Sequence, residues 1–410
     1  MAKKATRKRT TTKRTKETDP EAIKQAVLQR MNALLRERLQ QEVVDEVELP
    51  SGVTRIDDCD AEETYRRLHQ VVDDLVEQIL TTGRPVLKVP KRTASNIIWD
   101  EENDLLLLGQ DRVNKIFHSL SSVTDVTRLI RVLEIMDELL EKKLHATKRE
   151  VFYTDVKLFQ DQSNSDACIE DASALLRTTR NSTHIVASAR GSCIGRLRIR
   201  DRNDFIDLES LGSGGWSISP MLDNIEIVES DAEFILVIEK DAALIRLSEA
   251  RWWRQYPCII LTGRGAADMA TRMFLRRLNK ELRLPTFCLV DSDPYGHYIY
   301  SVYLRGSKRL SYESPFLATP DMHLLGVLSR DLDAYQIPPQ CRLPMDKKDV
   351  KRAKEMLKEK WIEKNKPWKD DLELMLKMQV KAEIQSLSSH GFEYLTNEYL
   401  PTKLSTGDWI

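Results

Sequence analysis

Two short apolar runs that end at acidic residues constrain the fold of this 410-residue chain more than any other feature. Residues 234–238 (FILVI) lead directly into Glu239, and residues 286–290 (TFCLV) lead into Asp291. Apolar, β-branched runs of this length are typical of buried strands in a parallel sheet. Open α/β sheets place their sites at the carboxyl ends of such strands. The sequence therefore predicts an α/β domain with acidic residues gathered at one sheet edge.

The acidic residues at these strand ends have two interpretations. Asp293 lies two residues after Asp291 in the stretch DSDPYG, so that Glu239, Asp291 and Asp293 together offer three carboxylates. Carboxylate oxygens are the ligands that Mg²⁺ prefers. The alternative is that an acid after a strand caps the next helix. For a single aspartate the cap is the better interpretation, but the repeated pattern favours a metal site.

The segment between the two runs supports the parallel sheet. A third apolar run, residues 258–262, ends at the turn Thr262-Gly263-Arg264-Gly265, and helical patterns separate all three runs. A repeated strand–helix order requires parallel strands joined by right-handed crossovers. A glycine turn at the same edge lets the backbone approach a phosphate group, although a short Gly-x-Gly is weak evidence alone.

A different pattern occupies residues 110–185. An amphipathic helix is predicted over 125–144, and the capping box formed by Thr147 and Glu150 predicts another over 148–160. On that second helix Arg149, Tyr153 and Lys157 are spaced to share one face. Two helices joined by a tight turn indicate a helix-turn-helix or winged-helix module. By pattern alone, Tyr153 is more often an ordinary half-buried aromatic than a nucleophile.

Charge and composition exclude several classes of protein. Residues 1–16 carry eight Lys or Arg and no acid, which leaves the rest of the chain with 55 basic and 64 acidic residues. We expect this basic tail, residues 1–18, to be disordered. No apolar run reaches the ~18–20 residues of a membrane span, and no signal peptide is evident, so we expect an intracellular protein. The six scattered cysteines lack CxxC spacing, which argues against zinc or disulfides.

The remaining boundaries follow from pattern changes along the chain. The predicted units are a helical extension, a winged-helix domain, a linker with β-like runs, an α/β domain and a helical C-terminal extension, which span residues 19–84, 85–185, 186–224, 225–345 and 346–410. The first helix carries an apolar stripe that includes Val27 and Met31. This stripe is predicted to pack within the chain or against a partner protein.

Taken together, these motifs resemble a known family. Glu239-Lys240-Asp241-Ala242 and Asp291-Ser292-Asp293-Pro294-Tyr295-Gly296 resemble a Rossmann-like TOPRIM domain, and Arg149-Glu150-Val151-Phe152-Tyr153 resembles the tyrosine motif of type IIB topoisomerases. Their order is similar to that of topoisomerase VI A subunits and of the related meiotic double-strand-break transesterase. The C-terminal Leu387–Phe392 and Tyr399–Pro401 stretches favour the topoisomerase branch. Residues 1–60 and the Ala266-Ala267-Asp268 sequence after the glycine turn depart from the family pattern.

The resemblance implies an activity and site roles. Tyr153 would form a 5′-phosphotyrosyl bond to DNA, assisted by Arg149, with Mg²⁺ on Glu239, Asp291 and Asp293. It also implies a C2 homodimer and an A2B2 complex with a GHKL-type ATPase B subunit, because this chain contains no GxxxxGK[ST] motif for ATP. The 23–39 stripe is a candidate for the B-subunit contact. The candidate DNA-binding residues are Lys157, Arg264 and Arg272. The compartment would be the cytoplasm or nucleoid of a prokaryote or the nucleus of a eukaryote.

Three rival interpretations remain open from the sequence. A meiotic-type transesterase would use the same chemistry without resealing DNA. A TOPRIM nuclease or primase would not need Tyr153. A winged-helix DNA-binding protein with a vestigial acid cluster would bind DNA without Mg²⁺, but the presence of all three acids disfavours it.

Overall fold

The computed structural model describes residues 19–40, 48–188 and 190–410. The basic tail predicted over residues 1–18 lies outside these ranges. Within them, no helix combines the length and the apolar character that crossing a bilayer requires. The molecule is a mixed α/β protein with a six-stranded sheet, several small sheets and many helices.

The N-terminal half packs helices around short strands. In chain order its elements are α1 (Pro20–Gln40), α2 (Ala61–Thr82), β1 (Val86–Pro90), β2 (Ile97–Asp100), β3 (Leu105–Leu108), β4 (Arg112–Ile116), α3 (Val123–Glu141), β5 (Ala146–Thr147), α4 (Lys148–Thr154), α5 (Val156–Phe159), α6 (Gln162–Leu176) and β6 (Ile185–Val186). Helix α2 begins at Asp60, which accepts the Glu63 N–H, and ends at Gly83 in the left-handed region. A buried core that includes Leu129, Met136 and Ile169 joins α2, α3 and α6.

The helix predicted over 148–160 is in fact two short helices. The Thr147–Glu150 capping box starts α4 as expected. At Asp155 the backbone leaves the helical region (φ −153°, ψ 73°), and the Asp155 side chain accepts the Leu158 N–H to start α5. Aspartate competes for backbone hydrogen bonds in this way and favours caps over helix interiors. Arg149 and Tyr153 therefore share α4, whereas the prediction that Lys157 lies on the same helix is wrong.

The C-terminal half is built on the larger sheet. Its elements are β7 (Ser192–Gly195), β8 (Arg198–Asp201), β9 (Asp204–Asp207), β10 (Trp216–Ser217), β11 (Ile225–Glu229), β12 (Phe234–Ile238), α7 (Asp241–Glu249), β13 (Cys258–Thr262), α8 (Met269–Leu282), β14 (Thr286–Leu289), α9 (Pro294–Arg305), α10 (Ser314–Leu317), β15 (Met322–Gly326), α11 (Asp331–Ala334), β16 (Leu343–Pro344), α12 (Lys347–Met356), α13 (Lys360–Lys364), α14 (Lys366–Met378), β17 (Val380–Lys381) and α15 (Leu400–Thr406).

The sheet order is β10-β7-β13-β12-β14-β15. Strands β13, β12 and β14 are parallel, as predicted, and β15, which was not predicted, adds a fourth parallel strand beside β14. Strand β7 pairs antiparallel with β13, and β10 pairs antiparallel with β7. The sheet is therefore mixed, because two strands from residues 192–217 extend one edge. Strands β8, β9 and β11 form a separate antiparallel sheet.

Both faces of the central strand β12 are buried. Ile235 and Val237 face a core that includes α8 and α14, whereas Phe234, Leu236 and Ile238 face a second core. Alternation of side chains along a strand explains this division. A strand covered on both sides needs a continuous apolar sequence, which is the pattern seen in residues 234–238.

Helix α1 completes the second core from the far end of the chain. Val27 and Met31 are fully buried and belong to the same cluster as Leu400 and Leu404 of α15. Arg30 Nε donates to the Ser405 carbonyl at 3.0 Å, which fixes the two helices together. The apolar stripe of α1 thus packs within the chain. Val27 and Met31 are therefore not available to a partner, whereas a B-subunit contact by the exposed part of the 23–39 stripe, such as Leu39, stays a prediction.

Candidate active site

Glu239 begins the site at the carboxyl end of β12. Strand β12 adjoins β14 directly, with Ile238 opposite Leu289, so the residues that follow the two strands lie side by side. Glu239 Oε2 accepts the backbone N–H of Asp291 at 2.9 Å. Burial raises the pKa of Glu239 to about 7, and the nearby negative charges of Asp291 and Asp293 act in the same direction.

Asp291 is only 5% exposed, and both of its carboxylate oxygens have protein partners. Oδ1 accepts the backbone N–H of Ile384 at 2.8 Å, and Oδ2 lies 2.7 Å from Lys240 Nζ. Burial raises the Asp291 pKa, and the hydrogen bond from the Lys240 ammonium opposes that rise. The carboxylate is therefore held firmly by the chain around it.

Asp293 serves as the N-cap of α9. Its Oδ1 accepts the Gly296 N–H at 2.6 Å, and Pro294 occupies the first turn, where a missing N–H costs nothing. The interpretation of Asp293 as a helix cap is thus confirmed. Because a carboxylate has several lone pairs, the cap leaves Asp293 able to accept a further ligand.

The donor set suits a hard divalent cation, although its members do not converge on one point. Glu239, Asp291 and Asp293 lie at one sheet edge, and the negative charges of the two aspartates raise the pKa of Glu239. A bound cation would reduce the repulsion among the three carboxylates. In the described parts of the chain, however, no three acidic, histidine or cysteine side chains are grouped closely enough to hold a metal. The hydrogen bonds of Glu239, Asp291 and Asp293 with the protein account for this arrangement.

The glycine turn after β13 lies against Glu239, as predicted. The Gly265 N–H donates to the Glu239 carbonyl at 2.7 Å. Arg264 adopts the left-handed region (φ 54°), donates to Ser192 Oγ at 2.9 Å and pairs with Asp241 at 3.2 Å. Its side chain is about half exposed, so this guanidinium faces solvent at the acidic edge.

Tyr153 is exposed on α4. Its side chain is 66% accessible, and its ring lies 5.3 Å from that of Phe152. Arg149, one turn earlier, is also exposed. In the described residues, neither side chain takes part in a hydrogen bond or ion pair, so no such bond joins Tyr153 to the three acids. The structure therefore brings the carboxylates together but leaves the tyrosine apart from them.

The other two predicted basic residues differ in accessibility. Lys157 on α5 is exposed. Arg272 on α8 is only 1% exposed, and burial lowers its pKa to about 10. Its Nε and Nη2 atoms are buried without a hydrogen-bond partner in the described residues. The prediction that Arg272 lines a DNA groove is wrong, because its helix turns it into the interior.

Sequence reasoning missed Lys240 and Glu383. Lys240 Nζ bridges Asp291 Oδ2 at 2.7 Å and Glu383 Oε2 at 2.9 Å. Lys240 has a sequence signal, since it directly follows Glu239. Glu383 has none, because it lies 92 positions beyond Asp291 on the C-terminal segment.

Models of known protein families match three consecutive segments of the chain. A family model for the Toprim domain of topoisomerase 6 A subunits and Spo11 matches residues 234–404, the type IIB DNA topoisomerase model matches 124–185, and an all-beta domain of the DNA topoisomerase VI alpha subunit matches 190–231. The A subunit of DNA topoisomerase 6 from Arabidopsis thaliana is 47% identical over 84% of this chain and 80% of its own length. The chain belongs to the family of topoisomerase 6 A subunits and Spo11.

Other relatives favour the topoisomerase branch. The A subunit of type 2 DNA topoisomerase 6 from Aeropyrum pernix is 36% identical over 85% of this chain and 95% of its own length. The meiotic recombination protein SPO11 of Mus musculus is 31% identical over 88% and 92%. This member of the family is thus a type IIB DNA topoisomerase subunit, which cleaves and rejoins DNA. The meiotic alternative is supported only secondarily.

Proposed function

We propose that Tyr153 is the nucleophile of DNA cleavage. The observation that carries this assignment is its exposed side chain on a capped helix, one turn from the exposed Arg149. The phenolate oxygen attacks a backbone phosphorus, the bond from phosphorus to the 3′-oxygen breaks, and the freed 3′-hydroxyl takes up a proton. The 5′-phosphotyrosyl ester conserves the bond energy, so the reverse attack reseals the strand.

Arg149 assists this step by its charge. Both side chains project from α4 at the i and i+4 positions, which adjoin on a helix surface. A guanidinium one turn from the phenol stabilises the negative charge that develops on the phosphate. Exposed Lys157 and Arg264 would contact DNA phosphates, which makes binding sensitive to salt and weakly specific for sequence.

Glu239, Asp291 and Asp293 would hold Mg²⁺. When bound, the cation would supply positive charge that stabilises the phosphate and the leaving 3′-oxygen. The raised pKa of Glu239 supports the assignment, because close carboxylates at a sheet edge are best satisfied by a cation.

A C2 homodimer fits the separation of Tyr153 from the acids. Cutting both strands of a duplex requires two sites, and a twofold axis provides them with one kind of interface. We infer that each site combines Tyr153 of one protomer with the acids of the other. ATP would be handled by a GHKL-type B subunit in an A2B2 complex that relaxes and decatenates DNA, since this sequence lacks the phosphate-binding motif GxxxxGK[ST].

The domain boundaries form part of the proposal. Residues 85–185 would be a winged-helix domain that carries the tyrosine, and residues 225–345 the metal-binding domain. The packing of α3, α4 and α6 around one core supports the first unit. Residues 19–84 and 346–410 would be helical extensions, of which α1 packs in a core of the larger sheet and α2 in the core of the first unit. Residues 186–224 would connect the two domains in the chain, and their strands β7 and β10 extend the larger sheet.

Covalent trapping tests the role of Tyr153. The full chain, with a B subunit, an ATP analogue, Mg²⁺ and supercoiled DNA, is denatured and examined for protein attached to 5′ ends. We expect the adduct to vanish in Tyr153→Phe and to persist in Tyr65→Phe, a control that changes a half-buried tyrosine on α2. An adduct that persists in Tyr153→Phe would rule out the proposed nucleophile.

A further inference from the structure

Lys240 is placed between two carboxylates by the turn that follows β12. Lys240 is the N-cap residue of α7 and has an extended backbone (φ −105°, ψ 132°). Its side chain projects from the sheet edge beside Glu239. Its ammonium nitrogen lies 2.7 Å from Asp291 Oδ2 and 2.9 Å from Glu383 Oε2. The Lys240 side chain is 24% exposed, so this ion pair is only partly screened by solvent.

Asp291 has little freedom to accept another cation. Its Oδ1 is held by the Ile384 N–H, and its Oδ2 is held by Lys240. Any divalent cation bound through Asp291 Oδ2 therefore meets an ammonium that already lies 2.7 Å from that oxygen. The two positive charges repel each other strongly at such short range.

The C-terminal segment that carries Glu383 is fixed to the same loop. Ser292 and Ala382 exchange two backbone hydrogen bonds, of 2.8 and 3.1 Å, on one side of Glu383. Ile384 donates to Asp291 on the other side. Glu383 is thus held within reach of Lys240, whereas its side chain, 55% exposed, has no other ion-pair partner in the described residues. This geometry gives the ammonium a second anchor beside Asp291.

We propose that Lys240 is an internal cation that competes with the divalent metal for Asp291, and that Glu383 receives its ammonium when the metal binds. The inference rests on the proposed metal-binding role of the three acids. The C-terminal segment then sets the affinity of the site for metal, because its Glu383 binds the Lys240 ammonium.

Binding of Mn²⁺ to the full chain without DNA tests the competition, with the free-ion signal in electron paramagnetic resonance as the readout. Lys240→Met should tighten Mn²⁺ binding by roughly 3- to 10-fold, because a competing charge is removed. Lys240→Arg keeps the charge and should stay within about twofold of the parent. Lys142→Met removes an ammonium paired with Glu138 on α3 and serves as the control.

Glu383→Gln gives a second, opposite test. Without the Glu383 carboxylate, the Lys240 ammonium pairs with Asp291 alone, so Mn²⁺ binding should weaken by roughly 2- to 5-fold. A purely structural role of the ion pair predicts weaker binding in both variants. Unchanged or weaker binding in a folded Lys240→Met variant, or tighter binding in Glu383→Gln, would overturn the proposal.

Asp291→Asn separates this inference from the proposed metal site. If Asp291→Asn abolishes Mn²⁺ binding while Lys240→Met leaves it unchanged, the site stands and only the competition fails. If Mn²⁺ binding is indifferent to Asp291→Asn, the metal role of the acid fails, and the competition fails with it. Thermal unfolding of each variant shows that the fold is retained.

Discussion

The backbone N–H of Asp291 donates to Glu239 Oε2 at 2.9 Å, although 52 positions separate the two residues in the chain. The contact exists because β12 lies between β13 and β14 in the sheet. Strands β12 and β14, the first and third of these strands in the chain, are therefore neighbours. One acid of the site thereby fixes the loop that presents the other two. The acidic edge is thus fixed to the ends of the sheet strands by hydrogen bonds.

Asp293 is expected to have separable capping and catalytic roles. Asparagine is as good an N-cap as aspartate, so Asp293→Asn should leave the thermal stability nearly unchanged, whereas Asp293→Ala should cost about 1 kcal/mol. Both variants should lose Mg²⁺-dependent DNA cleavage if the carboxylate binds the metal. Asp346→Asn, which changes the cap of α12, is the matched control. Full cleavage by Asp293→Asn would show that the acid is only a cap.

Glu170 is expected to join the tyrosine-bearing half to the sheet-bearing half. The buried carboxylate lies 2.7 Å from Arg92, and 2.9 Å from both Lys148 at the start of α4 and Arg309 beyond α9. Glu170→Gln leaves these cations without their shared partner and should lower the free energy of unfolding by about 3 kcal/mol.

Chemical denaturation measures the effect of Glu170→Gln. Glu138→Gln, which breaks an exposed pair with Lys142, should leave stability nearly unaltered. Equal effects of the two substitutions would contradict the special position of Glu170.

Glu313 should make stability depend on pH. Burial raises its pKa to about 7 from an ordinary value of 4.5, so the folded state holds a proton that the unfolded state has released. The contribution of Glu313 to the unfolding free energy should therefore be largest below about pH 4.5 and fall by up to about 3 kcal/mol as the pH rises to 7. Glu313→Gln should remove this part of the slope, as measured by denaturation at several pH values.

An exposed glutamate provides the comparison for Glu313. Glu62→Gln on α2, which changes an exposed side chain, is the comparison substitution in the same denaturation series. A parallel profile for Glu313→Gln and the parent chain would contradict the buried-proton interpretation.

Helix α1 should be required for the stability of the sheet-bearing half. Met31 is fully buried against α15, so Met31→Asp places a charge in an apolar core and should cost about 3 kcal/mol or more. Leu39→Asp on the same helix changes a side chain that is 53% exposed and should have little effect. Thermal unfolding distinguishes these outcomes, and a stable Met31→Asp variant would indicate that α1 is dispensable.

The local sequence was sufficient to predict those elements that are marked by a pattern of a few neighbouring residues. Five-residue apolar runs identified β12 and β13 because strands buried on both faces have no polar side to show. The Thr147–Glu150 capping box located the start of α4 for the same local reason. The break at Asp155 was missed, because an aspartate in a helical pattern is compatible with either an exposed helix position or a new cap.

The sequence by itself determined that this chain has a parallel strand series ending in three carboxylates and a tyrosine on a separate helix. Only the tertiary structure decided that β12 and β14 are neighbours, that Arg272 points inward, and that α1 covers a core completed by α15. It also placed Lys240 and Glu383 against Asp291. Strand order and long-range ion pairs depend on contacts between residues far apart in the chain, for which local propensity and spacing carry no signal.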